Sequence, residues 1–165
     1  MNPTGFADPS VDSVDIERVF VSLAKSPFRS RFGLKGKDLS YLTAKGLDGM
    51  IDHARGFLEA RLFPAHPTND GHQTPMRGHP VFVAQHATAT CCRKCLAKWH
   101  GITMGHPLTG VERERVLGII RLWLAKQIEE AGPICPETST AQQGQLGLAV
   151  TPEGGVCHLA FGLLR

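Results

Sequence analysis

Apolar residues recur in the first part of the chain at the spacing of an amphipathic α-helix. The first such face, with positions i, i+3, i+4 and i+7, is formed by Ile16, Val19, Phe20 and Leu23. The pattern starts near Ser13 and ends before Pro27, because proline cannot continue a helix. Asp38 predicts the N-cap of a short second helix, and Gly46 predicts its end. A third helix then presents one apolar face, made of Leu47, Met50, Ile51, Ala54, Leu58 and Leu62.

The middle of the chain changes character. Residues 63–80 carry four prolines and two glycines and predict a long irregular connection, a kind of segment that often has a function. The run Val81–Ala84 is too short for periodicity to distinguish a strand from the start of a helix. The following segment predicts a helix with Thr88 or Thr90 as N-cap and Gly101 as terminator.

A last helix is predicted from the capping box that Thr109 and Glu112 form to the glycine at position 132. The expected fold is therefore mainly α: a single compact helical domain of about five helices. Residues 1–12 are expected to be a flexible N-terminal arm, residues 13–132 the helical metal-binding domain, and residues 133–165 a C-terminal extension with a possible short β-hairpin.

Composition indicates an ordinary globular protein. Of the 165 residues, 42% are hydrophobic and 20% charged, enough apolar material for a core without disulfides. The formal net charge of +3 is too small to indicate a nucleic-acid partner by itself. The first residues lack the pattern of a secretory signal, and no apolar run reaches the roughly 20 residues that span a bilayer. We therefore expect a cytoplasmic protein without a membrane partner.

The segment GHPVFVAQHATATCCRKCLAKWHG, residues 78–101, concentrates three of the eight histidines and three of the five cysteines. Cys92 and Cys95 form a C-x2-C pair, and His86 and His100 lie on either side of it. Thiolates and imidazoles are the ligands that zinc prefers, usually four in a tetrahedron. The pattern therefore predicts a zinc site with these four ligands, in which Cys91 is an alternative. Such a metal is structural if four protein groups bind it, and hydrolytic if one position stays open to water.

Two other interpretations of the same segment remain open. In a continuous helix Cys92, Cys95 and Leu96 share one face, so the cysteines are buried core residues. Alternatively, Cys91 or Cys92 in the first turn of a helix is a reactive thiolate, favoured by the helix dipole and neighbouring cations, with His86 as the base. In this last interpretation the protein is a thiol-dependent enzyme.

Two further groups of polar residues are candidates for function. In the irregular connection, Asp70, Arg77 and His79 offer a carboxylate, an anion clamp and an imidazole, although turn formation also explains such residues. Basic residues alternate with Phe28 and Phe32 in a pattern typical of a nucleic-acid-binding surface, or of a solvated face above two core phenylalanines. These basic residues are Arg29, Arg31, Lys35 and Lys37.

From the GHPVF segment through HATATCC and CCRKCL to KWHGI, the chain resembles a small bacterial family known only as a domain of unknown function. The similarity runs from about Ser26 to Lys126, and the motifs follow one another without gaps. It implies that three groups of motif positions matter: Gly78–Phe82, Cys91–Leu96 and Trp99–Gly101. It implies no reaction.

Overall fold

The computed structural model describes residues 9–132, with side chains from residue 16 onward. Five helices follow one another in this part of the chain: α1 (Pro9–Ala24), α2 (Gly36–Arg61), α3 (Pro80–Ala87), α4 (Arg93–His100) and α5 (Gly110–Ala131). No strand occurs between residues 9 and 132. The predicted mainly helical fold is thereby confirmed, whereas the predicted C-terminal hairpin lies outside the described residues.

The core forms where α2, α3 and α5 pack against one another. The predicted apolar face of α2 points into it: Met50, Ala54, Leu58 and Leu62 are fully buried. The facing side chains of α3 and α5 include Val81, Ala84, Val116, Ile120 and Leu124, all fully buried as well. Burial of these side chains, worth about 1.5–3 kcal/mol for each one larger than alanine, is the main stabilisation of the fold.

Local signals explain where the helices begin and break. Gly46 has φ 77° and ψ 163°, so α2 breaks at the residue that the sequence marks as the end of a helix. Thr109 and Glu112 form both hydrogen bonds of the predicted capping box at the start of α5. Helix α1 begins at Pro9, four residues before the predicted start at Ser13 and within the range assigned to the N-terminal arm. Proline is well suited to a first helical turn.

The segment around the cysteines differs from the sequence prediction. Val81–Ala84 belongs to a helix, α3, which starts at Pro80 and is capped by the His79 side chain. The predicted N-caps of the next helix are wrong: Thr88 ends α3, Ala89 adopts a left-handed conformation (φ 57°), and α4 has Cys92 as its N-cap. The cysteines at positions 91 and 92 therefore precede the first turn of α4 and lie in the turn between α3 and α4.

Candidate metal centre

The structure brings three cysteines together. The Sγ atoms of Cys91, Cys92 and Cys95, hereafter the cysteine centre, all lie within 4.8 Å of one another. Cys91 and Cys92 are buried and Cys95 is half-buried. The Sγ atoms of Cys91 and Cys95 are 3.6 Å apart. A tetrahedral zinc ion with Zn–S bonds of about 2.3 Å separates its sulfur ligands by about 3.8 Å, so the cysteine centre has the dimensions of such a site.

Backbone conformation and two neighbouring side chains hold the cysteine turn. Cys92 is extended (φ −161°, ψ 166°), and its carbonyl accepts the first hydrogen bond of α4, from the Leu96 N–H at 3.1 Å. Its side chain forms no capping bond, and the Asp70 carboxylate accepts from the Arg93 N–H at 2.9 Å instead. The Thr74 hydroxyl donates to the Cys91 carbonyl at 2.9 Å. The irregular connection between α2 and α3 therefore fixes the turn that carries the sulfurs.

A buried arginine lies against the cysteine centre. The guanidinium of Arg29, which is only 9% exposed, is 3.1 Å from the Cys95 Sγ and 3.7 Å from the Cys91 Sγ. It also donates to the backbone carbonyl of His86 at 2.5 Å. Within residues 16–132 it forms no salt bridge with a carboxylate. Burial lowers the pKa of Arg29, but its contacts with the two sulfurs outweigh burial and raise that pKa above the ordinary value.

Without an ion, the three thiols hold their protons more firmly than isolated cysteines. The pKa of Cys91 is raised, chiefly by its contact with Cys92, and that of Cys95 chiefly by its contact with Cys91. For Cys92, the contact with Cys91 lowers the pKa, but the contact with Cys95 and burial raise it more. Crowded, buried thiols resist ionisation because a second negative charge in the same place is unfavourable.

The two histidines predicted as ligands do not join the sulfurs. The His86 Nε2 contacts the carbonyl oxygens of Thr74 and Pro75, each at 3.2 Å. The His100 Nε2 contacts the Thr88 carbonyl at 2.8 Å, and its buried Nδ1 has no partner among the described residues. Burial lowers the pKa of both imidazoles. The group that the structure assembles therefore contains Cys91 and neither of the two imidazoles.

The two remaining candidates for catalysis have structural roles. Asp70 caps α4 through the Arg93 N–H and also accepts from the Gln73 amide at 3.1 Å. The His79 Nδ1 accepts from the Val81 N–H at 3.1 Å, and its Nε2 lies 3.1 Å from the Nδ1 of His53. Burial, and then the neighbouring His53, lower the pKa of His79. Neither residue belongs to the cysteine centre.

The four basic residues predicted to form one exposed surface do not share one environment. Arg31, Lys35 and Lys37 are exposed, as that hypothesis requires. Arg29 is buried and turned toward the cysteines, so the assignment of Arg29 to a surface for nucleic acid is wrong. The sequence gives no signal for its real position, because 66 residues separate it from Cys95 and nothing local pairs the two.

Comparison with known proteins adds a family but no activity. A family model described as "Domain of unknown function (DUF4186)" matches residues 17–125. The matched range contains the cysteine centre, Arg29 and most of α5. No solved structure matches the chain. A search of the described helices finds none whose length and apolar character would let it cross a membrane.

Proposed function

Since the chain belongs to the DUF4186 family, whose description names no activity, we propose its function from the geometry of the cysteine centre: the protein binds one zinc ion through the thiolates of Cys91, Cys92 and Cys95. The observation that carries this proposal is the convergence of three sulfurs beside a buried guanidinium. The fourth position of the ion is then filled by water.

The charges at the centre support a divalent ion. Three thiolates carry a charge of −3, and Arg29 and a divalent cation together carry +3. The loaded centre is therefore neutral, which matters because buried net charge is costly. A monovalent copper ion leaves one negative charge uncompensated.

The number and spacing of the sulfurs support zinc among the thiophilic metals. Thiolates select zinc, copper(I) and iron–sulfur clusters over magnesium or calcium. An iron–sulfur cluster usually takes four cysteines, whereas the assembled group offers three. The 3.6 Å separation of the Cys91 and Cys95 sulfurs fits ligands of one ion.

A fourth position open to water is typical of hydrolytic zinc, but the surroundings of this centre favour a structural role for the ion. Three thiolates donate much negative charge to the metal, which weakens its ability to acidify a bound water. The carboxylate considered as a base, Asp70, is already engaged in capping α4. An ion at the centre instead joins the turn between α3 and α4 to the first turn of α4, so its binding energy contributes to the stability of the fold.

The test is metal analysis of the purified full chain in buffer without chelator. We expect about one zinc per chain, as in other structural sites. Serine variants of Cys91, Cys92 and Cys95 should each lose most of the metal. The matched control is the double variant Cys135→Ser/Cys157→Ser, which removes the other two cysteines of the chain and should retain the zinc. Cobalt substitution should give a thiolate-to-cobalt charge-transfer band that the Cys92→Ser variant lacks.

The opposite results identify the two alternatives. A chain that binds no zinc and whose three thiols resist alkylation in the native state has only buried core cysteines. A metal-free chain in which one of these thiols reacts rapidly with iodoacetamide near neutral pH has the reactive thiol that the thiol-enzyme alternative requires. Either result would overturn the proposal.

A further inference from the structure

A second candidate site has a lining that begins two residues after Arg29, at Arg31. It is a cleft of about 810 Å³, within the size range of small-molecule sites. One wall is the chain segment 31–38, and the other comes from residues 76 and 77 and from α3. The lining side chains used below, hereafter the basic cleft, are Arg31, Phe32, Lys35, Asp38, Met76 and Arg77.

The basic cleft concentrates positive charge. Arg31, Lys35 and Arg77 are all exposed, and Asp38 is the single carboxylate among the lining residues, which leaves a net charge of +2. None of the three cations forms a salt bridge with any residue that the structure describes. Arginine matches the oxygens of a phosphate with two parallel N–H groups, and lysine adds a point charge.

The same cleft offers apolar surface. Phe32 lines it and is held in place by stacking on His86, with ring centroids 5.5 Å apart and an interplanar angle of 19°. Met76 is 44% exposed, and its flexible thioether can adapt to a planar ring. The Asp38 carboxylate offers an acceptor for a hydroxyl or amino group. Cations, apolar walls and one acceptor together correspond to the parts of a nucleotide.

We propose that the basic cleft binds the phosphate groups of a nucleotide, with the base against Phe32 and Met76. The nucleotide is either free or part of a single strand, because both present the same chemistry. No cysteine lines the cleft, so this inference does not rest on the proposed zinc site. Lys37, which the sequence grouped with these residues, does not line the cleft.

The test compares two triple variants that lose the same charge. In the cleft variant Arg31, Lys35 and Arg77 are changed to glutamine; in the control variant Lys45, Lys94 and Lys98, which do not line the cleft, are changed to glutamine. Binding of fluorescent ATP and of a labelled short thymidine oligomer is measured by anisotropy at low salt. Circular dichroism and thermal unfolding show whether both variants are folded.

We expect wild-type protein to bind at least one probe, the cleft variant to bind it about tenfold or more weakly, and the control variant to stay within about twofold. Binding of ATP alone identifies a free nucleotide as the ligand. If the oligomer also binds, a plot of the logarithm of its association constant against the logarithm of salt concentration has a negative slope. This slope should be shallower by about 2 in the cleft variant, since each of the three lost phosphate contacts contributes about 0.7. Absence of binding by both probes, or equal weakening in both variants, would overturn the proposal.

Discussion

The change Arg29→Gln should weaken zinc binding without removing a metal ligand. In the wild-type protein the guanidinium lies 3.1 Å and 3.7 Å from two of the sulfurs and is 9% exposed. A zinc ion with three thiolates has a net charge of −1, and Arg29 is the cation that compensates it. Glutamine keeps a donor for the His86 carbonyl but removes the charge.

The size of the effect follows from this geometry. A unit charge about 4.5 Å from the opposite charge, at an effective dielectric constant of about 20, contributes about 4 kcal/mol. Part of it is recovered when water or the glutamine amide solvates the centre, so we expect a loss of about 2 kcal/mol, in the range of charge-assisted hydrogen bonds. This loss corresponds to a zinc dissociation constant about 30-fold larger.

The assay is competition for zinc with a chromophoric chelator under reducing conditions. Arg31→Gln is the matched control, because this exposed arginine lies two residues away and contacts the Phe28 ring rather than the sulfurs. It should leave the zinc affinity within about twofold. Arg29→Lys keeps the charge but loses the planar guanidinium with its parallel N–H groups. Its zinc affinity should lie between those of the wild type and Arg29→Gln.

The reasoning would be refuted by an Arg29→Gln variant that folds normally and binds zinc as tightly as the wild type. It would also be refuted if Arg29→Gln and Arg31→Gln weakened zinc binding equally. If Arg29→Gln does not fold, the zinc affinity of Arg29→Lys tests the reasoning instead, because loss of the guanidinium alone already predicts weaker zinc binding.

Four further predictions concern stability, each measured by urea or thermal unfolding. Gly101→Ala should cost about 1–2 kcal/mol, because Gly101 ends α4 at φ 68° and a Cβ there meets no other atom, so the cost is purely conformational. Thr109→Ala removes the capping box of α5 and should cost about 1 kcal/mol. Removing zinc with a chelator should lower the melting temperature, since the ion binds the folded chain. The metal-free protein should lose stability as the pH falls below about 6.5, because burial lowers the folded-state pKa of His100 and the unfolded chain then takes up the proton first.

Two of these predictions have a matched control. Gly101→Asn should recover part of the loss, since asparagine tolerates this conformation better than alanine. The acid-induced loss should level off once the pH is below the folded-state pKa, and His100→Gln should reduce it without removing it, because burial also lowers the pKa of His79 and His86. A pH profile of the metal-free protein unaffected by His100→Gln would contradict the role assigned to that imidazole.

Periodicity predicted the helices that bury one continuous apolar face against the core. Met50, Ala54 and Leu58 repeat at helical spacing because one side of α2 packs against the core, so their pattern records their environment. The capping box of Thr109 and Glu112 was predicted correctly for a similar reason, because all of its hydrogen bonds form within four residues. Both signals depend on residues that are close together in the chain, so they can be recognised from the sequence.

The metal centre was predicted only in part, because its geometry depends on a turn and on distant residues. Ala89 adopts a left-handed conformation that alanine rarely takes, so no sequence pattern placed the turn there. That turn moves Cys91 out of the predicted helix and into the group of sulfurs. Likewise, the carbonyl oxygens that occupy His86 come from the irregular connection, whose path follows from packing and not from periodicity.

The proposed zinc ion accounts for the cysteine centre and Arg29 together. In the metal-free chain the crowded thiols keep their protons, because contact and burial raise the pKa of all three. The contacts that raise the pKa of Arg29 are strongest when the neighbouring sulfurs are thiolates, so protonated thiols stabilise the guanidinium less. A divalent ion displaces the three protons and makes the whole centre neutral. Under the proposed function the interaction of Arg29 with the thiolates strengthens zinc binding, so the stability difference between loaded and metal-free protein should be smaller in Arg29→Gln than in the wild type.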